Sequence, residues 1–215
     1  MRELCADGSV SDEVRSAVES AVRVLCACGA TAKVVSLPSP DAALASYCVL
    51  SATESSSNLA RYDGIAYGYR AKGGGDVASL YSASRGESFG AEVKRRILFG
   101  GYMLSQENRG LYYERACHAR AVVKAQMDAI LEECDLLLMP ATPTTAFPLG
   151  TKWSAAEQRR ADLCAVYASL AGLPAVSIPF GCDRDGLPIG IQLSAKQSSD
   201  RFLLRAAELL GEATL

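Results

Sequence analysis

Three consecutive basic side chains are the residues of this sequence best suited to recognise a small anionic ligand. Lys94, Arg95 and Arg96 follow one another in the segment FGAEVKRRILFGGYML, which spans 89–104 and has the pattern of a helix. Neighbouring helical residues point about 100° apart, so we expect one of the three to face inward while the others stay in solvent. Arginine suits carboxylate binding because its planar fork donates two parallel hydrogen bonds. The alternative is a solvated basic helix face.

No local pattern in this sequence provides an activated nucleophile. The serine run Ser55–Ser57 has no candidate base beside it, and a serine needs a base or oxyanion donors to react. His118 is the single histidine, and we expect it on a helix surface. The spacing of Cys26 and Cys28 does not fit a zinc site. We expect reduced, buried or incidental thiols in a reducing compartment for the scattered cysteines, which are Cys5, Cys26, Cys28, Cys48, Cys117, Cys134, Cys164 and Cys182.

Length and composition bound the possible classes of protein. The chain has 215 residues, 49% of them hydrophobic and 21% charged, which allows one large or two small globular domains with a real core. The net charge of −2 argues against a nucleic-acid surface on this chain. No apolar run approaches the roughly 20 residues of a membrane span. The N-terminal segment MRELCADGSVSDE resembles neither a signal nor a transit peptide, and its position so close to structured sequence suggests an incomplete chain.

The stretch Ser169–Leu193 predicts two strands at the centre of the fold. Ala175–Phe180 and Ile189–Leu193 are short apolar runs, separated by a segment with the turn residues Gly181 and Gly186. Both runs are apolar at consecutive positions, so we expect both strands to be covered on both faces. This predicts the interior of a layered α/β domain rather than a surface hairpin.

Helical spacing and turn residues predict the remaining elements, which alternate between helices and strands as in an α/β fold. In the last helix we expect Phe202, Leu203, Ala206, Leu209 and Leu210 to pack inward. Predicted helices are Ser11–Cys28, Asp41–Asn58, 76–85, Leu111–Cys134, Gln158–Ala171 and Asp200–Glu212, and predicted strands are Ala32–Leu37 and Asp135–Met139.

Several longer motifs carry a resemblance to a known family. They are ESSSNLARYDG at 54–64, FGAEVKRRILFG at 89–100, a tyrosine pair followed by Arg120, PATPTTAFPLG at 140–150, and SLAGLPAVSIPF at 169–180. Together they resemble the C-terminal half of the amidase signature family, most closely the A subunit of the glutamyl-tRNA(Gln) amidotransferases. The resemblance implies a layered α/β/α fold around a mixed sheet, with residues 1–215 as the C-terminal part of one amidase signature domain.

The resemblance also implies substrate-binding roles for three residues. Arg96 would bind the α-carboxylate of the substrate amino acid, and Asp162 would bind its α-ammonium group. Asp162 also has a structural explanation, since a carboxylate near a helix N-terminus complements the helix dipole. Tyr47 would lie near the substrate channel, or else be a core aromatic with a satisfied hydroxyl.

The family's catalytic residues are expected outside this chain. The family uses a serine nucleophile, a second serine in a cis peptide and a lysine, and this sequence has no glycine- and serine-rich run of that type. We therefore expect no catalytic residue and no cofactor here. The implied partners are an N-terminal amidase half and amidotransferase subunits B and C, with ATP and Mg²⁺ used by a partner protein. tRNA would be held only through a partner, in the cytoplasm or an organelle matrix.

Two other functions remain open at this point. The chain could belong to another amidase of the same family that hydrolyses a different amide. It could also be a non-catalytic scaffold subunit derived from an amidase half.

Overall fold

A computed structural model describes residues 10–73 and 75–212 of the chain. Residues 1–9, which include Cys5 and most of the N-terminal segment interpreted above, lie outside the described residues. The helices are α1 (Asp12–Ala27), α2 (Pro40–Asn58), α3 (Val77–Ser88), α4 (Ala91–Leu104), α5 (Tyr113–Glu133), α6 (Ala155–Ala161), α7 (Val166–Ala171) and α8 (Asp200–Glu212), with a 3₁₀ turn at Leu59–Arg61. The strands are β1 (Leu136–Pro140), β2 (Ala175–Cys182) and β3 (Pro188–Ala195).

The chain divides into two compact units. The first comprises residues up to Ala45 and from Ala119 onward, and it contains the sheet. The second comprises Ser46–His118 and is helical, with α3, α4 and parts of α2 and α5. The helix-and-strand composition confirms the predicted α/β class.

The sheet of the first unit has the strand order β1-β3-β2, and both pairings are antiparallel. Leu193 pairs with Leu138 of β1 and with Val176 of β2, which places β3 in the centre. Helices α1 and α8 contact the sheet. The core that results contains Ala21, Ile178, Phe180, Ile191, Leu193, Ala195, Leu203, Ala207 and Leu210.

The central stretch is a β-hairpin, which corrects one prediction. β2 and β3 are joined by a tight turn at residues 183–187, in which Gly186 has a φ of 78°. Gly181, predicted as a turn residue, instead lies within β2 at an irregularity of the pairing register, also with a φ of 78°. β3 is buried at consecutive positions from Ile191 to Ala195, as predicted. β2 is an edge strand, and Ala175, Ser177 and Pro179 are exposed along it. An apolar run does not reveal whether a strand has a neighbour on each side, because that depends on pairing with distant residues.

The predicted strand Ala32–Leu37 is wrong: the segment contains no strand. Among the described residues, 32–36 make no backbone hydrogen bond, and Val34 is 73% exposed. The segment is tethered by an ion pair between the Lys33 ammonium and the Glu133 carboxylate. β-branched residues favour a strand only where a neighbouring strand completes the ladder.

The bounds of α1 and α8 are close to the predicted ones, whereas one predicted helix is divided. Ser11 Oγ accepts a hydrogen bond from the Val14 amide at 3.4 Å, and α8 has the predicted bounds Asp200–Glu212. The predicted helix Gln158–Ala171 is instead the two short helices α6 and α7.

The apolar stripe predicted for α8 is too wide. Its buried residues are Leu203, Ala207 and Leu210, whereas Phe202 and Leu209 are exposed. The sheet covers only one narrow face of this helix, so apolar residues beside that face stay in solvent.

In the second unit, α4 approaches α2 closely. A Cβ atom added at Gly100 would lie 2.2 Å from the carbonyl oxygen of Ala52, so glycine is needed for this contact. The polar turn that follows α2 satisfies its own backbone. Asp63 Oδ1 accepts hydrogen bonds from the amides of Ile65 at 2.8 Å and Ala66 at 2.9 Å.

Candidate substrate-binding residues

The three predicted binding residues are distributed over both units. Tyr47 and Arg96 belong to the second unit and Asp162 to the first.

All three basic residues of α4 are exposed, which corrects the prediction that one of them faces inward. The buried residues of α4 are Gly100 and Met103. Lys94 donates a 2.6 Å hydrogen bond to the Gly86 carbonyl oxygen. Arg95 and Arg96 both turn toward Glu92, which lies in the first turn of the helix on its exposed side. A charged pair on the solvated side avoids the desolvation cost of burying a guanidinium.

Glu92 holds the two arginines differently. Arg95 makes a bidentate contact, with Nε 2.8 Å from Oε2 and Nη2 2.8 Å from Oε1 of Glu92. Arg96 uses only Nε, which donates to Oε1 at 3.0 Å. Among the described residues, the terminal nitrogens Nη1 and Nη2 of Arg96 donate no hydrogen bond. Hydrogen bonds from both arginines lower the pKa of Glu92 to about 2, so it is ionised at neutral pH.

Asp162 is the C-terminal cap of α6, not an early residue of one long helix as predicted. Its carbonyl oxygen accepts from the amides of Ala165 at 3.0 Å and Val166 at 3.2 Å, which links α6 to α7. The side chain is exposed. Among the described residues its carboxylate accepts no hydrogen bond and forms no ion pair. The helix-dipole explanation therefore does not hold for α6, because the negative charge lies at its C-terminus.

Tyr47 lies on α2 beside the buried residues Ser46 and Leu50 and is itself half-buried. Its hydroxyl makes no hydrogen bond within residues 10–73 and 75–212, so the alternative of a core tyrosine with a satisfied hydroxyl is not supported. Tyr47, Arg96 and Asp162 thus share one property: each has a polar group at or near the surface that the described chain leaves unused.

The sequence prediction missed Glu92 as the hydrogen-bonding partner of Arg95 and Arg96. The available signal was its spacing, because a glutamate four residues before an arginine on a helix places the two side chains side by side. No group of three or more His, Cys, Asp or Glu residues that could hold a metal ion occurs in the part of the chain that the structure describes. No helix in that part combines the length and apolarity needed to cross a bilayer.

Comparison with known proteins assigns the family. The sequence profile described as "Amidase" matches residues 4–204. The chain belongs to the amidase family. Among its amidase relatives are proteins named as the A subunit of glutamyl-tRNA(Gln) amidotransferase. The one from Halothermothrix orenii is 41% identical over 203 residues, which is 94% of this chain and 43% of the relative. The one from Symbiobacterium thermophilum is 44% identical over 207 residues, covering 96% of this chain and 42% of the relative.

Solved amidase structures share the fold. The crystal structure of a protein of the same name from Thermotoga maritima matches with a TM-score of 0.69 and 28% identity, covering 94% of this chain and 39% of that one. A structure described as an amidase matches with a TM-score of 0.73 at 23% identity, which is a likeness of fold. The chain therefore spans less than half the length of the curated amidases it matches.

Proposed function

We propose that this chain provides the glutamine-binding part of the A subunit of a glutamyl-tRNA(Gln) amidotransferase. The observation that carries the proposal is the identity of 41% and 44%, over nearly the whole chain, to two proteins of that name. In the complete protein, the side-chain amide of glutamine would be hydrolysed. The ammonia released would convert Glu-tRNA(Gln) to Gln-tRNA(Gln).

Within this proposal, two opposite charges recognise the amino-acid end of glutamine. Arg96 binds the α-carboxylate through its terminal nitrogens, and Asp162 binds the α-ammonium group. Their unused polar groups support these roles, because a ligand then replaces water and no internal hydrogen bond has to be broken. The half-buried Tyr47, with its unused hydroxyl, borders the path of the substrate.

The reactive groups belong, in this proposal, to a part of the protein that this chain does not contain. The relatives are more than twice as long as the matched region. Their remaining length would supply the serine nucleophile, the second serine and the lysine. Amidotransferase subunits B and C would be partners, and ATP and Mg²⁺ would act on one of these partners. tRNA would also be held there, since the chain has a net charge of −2.

Exposed apolar side chains support a missing protein partner. Leu98, Phe99 and Tyr102 form a stripe on α4 and are 76%, 45% and 53% exposed. They recur at helical spacing, which is typical of a face that packs against another element. The open edge of β2 in the first unit is a second surface of this kind. We assign both surfaces to contacts with the remainder of the complete amidase.

The test is a ligand titration of the purified chain with three matched compounds, followed by ¹H–¹⁵N NMR. L-Glutamine carries both charges, L-glutaminamide lacks the α-carboxylate, and N-acetyl-L-glutamine lacks the α-ammonium group. We expect millimolar, saturable binding of L-glutamine and weaker binding of both analogues. Each lost charged contact should weaken binding at least about tenfold, since such hydrogen bonds contribute roughly 1.5–3 kcal/mol.

The variants Arg96→Ala and Asp162→Ala connect the ligand groups to residues. Arg96→Ala should lose the preference for glutamine over glutaminamide, and Asp162→Ala the preference over N-acetylglutamine. Equal affinity of the unmodified chain for all three compounds would contradict the proposed function. A saturable site that ignores both substitutions would contradict the two residue assignments.

A further inference from the structure

Glu92 is the shared hydrogen-bond acceptor of the two arginines of α4. Glu92 accepts three hydrogen bonds, two from Arg95 and one from Arg96, over distances of 2.8, 2.8 and 3.0 Å. All three residues lie on the exposed side of α4. Exposed ion pairs contribute little to stability, so the arrangement does not have an obvious role in holding the helix together.

The way in which Arg96 is held matters for ligand binding. A guanidinium group has five N–H donors in a fixed plane, and Glu92 engages only the one on Nε. The edge formed by Nη1 and Nη2 is left for an external carboxylate, with the geometry of a bidentate contact. Arg95, in contrast, donates hydrogen bonds to Glu92 from both Nε and Nη2.

The net charge of Glu92, Arg95 and Arg96 also favours binding of an external carboxylate at Arg96. Glu92 with Arg96 alone would be a neutral pair, which attracts an anion weakly. The second arginine restores a net positive charge to the group of three. Arg95 can therefore satisfy the Glu92 carboxylate while the group as a whole still attracts a carboxylate ligand.

We propose that Glu92 is a positioning residue, which fixes the Arg96 guanidinium so that its terminal edge receives the α-carboxylate of the substrate. This inference rests on the proposed function, because it requires Arg96 to bind that carboxylate. A long side chain that is held before binding loses less conformational entropy when the ligand arrives. Glu92 touches neither the substrate nor the reacting amide; it acts only through Arg96.

Removal of Glu92 has two opposite effects, and they make the proposal testable. If Glu92 acted only through its charge, its removal would raise the affinity for a carboxylate ligand, because the negative charge of Glu92 repels that ligand. A positioning residue would lower affinity when removed, because Arg96 becomes disordered. The variant Glu92→Gln separates the two effects, since its neutral amide oxygen can still accept the hydrogen bond from Arg96 Nε.

The experiment compares L-glutamine and L-glutaminamide binding by NMR for the full 215-residue chain and four variants. We expect Glu92→Ala to weaken glutamine binding about 2–10-fold, the effect of releasing one long side chain, and to leave glutaminamide binding unchanged. Glu92→Gln should bind glutamine as tightly as the unmodified chain, or more tightly. Lys94→Ala is the matched control, because it removes an adjacent exposed charge without touching Glu92.

The outcomes distinguish this inference from the proposed function. If Arg96→Ala weakens glutamine binding while Glu92→Ala leaves it equal or tighter, the positioning role is wrong and the proposed function stands. If Arg96→Ala binds glutamine like the unmodified chain, the assignment of Arg96 and this inference fail together, whereas the proposed function is contradicted only if the unmodified chain binds all three compounds equally. If Glu92→Gln weakens binding as much as Glu92→Ala, loss of the charge in the first helical turn explains the effect, and the inference is again wrong.

Discussion

Thr145 Oγ1 donates a 2.7 Å hydrogen bond to Oδ2 of Asp183, which ties the proline-rich loop after β1 to the turn between β2 and β3. The other carboxylate oxygen of Asp183 accepts from the amides of Asp185 at 2.9 Å and Leu187 at 2.8 Å. One aspartate thus closes the hairpin turn and also anchors a separate loop. The loop hydroxyl and the turn amides depend on the same side chain.

The first prediction concerns Asp183→Ala. Loss of all three hydrogen bonds should lower the melting temperature by about 2–4 °C, measured by circular dichroism at pH 7. Thr145→Val removes only the loop contact and should have a smaller effect. Asp185→Ala is the control, because the turn amides keep their acceptor. Equal melting temperatures for Asp183→Ala and Asp185→Ala would contradict the anchoring role.

The second prediction is the pH dependence of the same contact. The Thr145 hydroxyl and the turn amides lower the pKa of Asp183 below its usual value. A carboxyl group with a lowered pKa in the folded state stabilises the fold above its unfolded pKa of about 4, and this stabilisation is lost as the pH falls through the folded pKa. The difference in melting temperature between the unmodified chain and Asp183→Ala should therefore be full at pH 6–7 and shrink below about pH 4. A difference that stays constant down to about pH 2 would exclude this mechanism.

The third prediction compares two adjacent glycines of α4. Gly100→Ala would place Cβ 2.2 Å from the Ala52 carbonyl oxygen and 2.7 Å from Ser56 Cβ, so α4 and α2 must separate. We expect a loss of about 1–3 kcal/mol in the free energy of unfolding, measured by urea denaturation. At Gly101 the nearest atom is Ser56 Oγ at 3.9 Å, and Gly101→Ala should be neutral or gain up to about 1 kcal/mol from helix propensity. Similar values for both variants would show that the close approach at Gly100 is not required.

The fourth prediction compares two buried serines. Ser194 on β3 is buried, and its Oγ atom has no hydrogen-bond partner among the described residues. Ser84 on α3 is equally buried, but its Oγ accepts from the Ala71 amide at 3.1 Å. Ser194→Ala should be neutral or slightly stabilising, whereas Ser84→Ala should cost about 1–3 kcal/mol by leaving a buried amide unpaired. Urea denaturation measures both, and a clear loss for Ser194→Ala would reveal a partner for this hydroxyl.

The fifth prediction addresses the alternative functions. The purified chain should release no ammonia from L-glutamine, because we propose that the reactive serine and lysine belong to the part of its relatives that this chain does not match. An ammonia-releasing activity that survives purification and is lost in Arg96→Ala would contradict this expectation.

In a complete enzyme, Asp162→Lys should abolish glutamine hydrolysis if the carboxylate binds the α-ammonium group. An amidase for simple uncharged amides would keep its activity in the same variant.

Local sequence predicted the elements whose signals are local. α1 begins directly after Ser11, the first residue of the predicted helix, which caps it, and α8 begins at Asp200 and ends at Glu212 as predicted. Gly186 was correctly predicted in the β2–β3 turn, where it has a positive φ, whereas Gly181 lies inside β2. The family motifs needed no three-dimensional information, and the amidase match over residues 4–204 confirmed them.

The sequence by itself therefore determined the family, the positions of most helices and the three strands of the sheet. Only the tertiary structure decided that β2 lies at the edge of the sheet formed by the described residues, that residues 32–37 form no strand, and that Asp162 ends α6. It also brought Glu92, Arg95 and Arg96 together on the exposed side of α4. Helix caps and helical periodicity depend on residues that are close in the sequence. Strand pairing depends on residues that only folding brings together, and the exposure of a helical side chain depends on which side of the helix is covered.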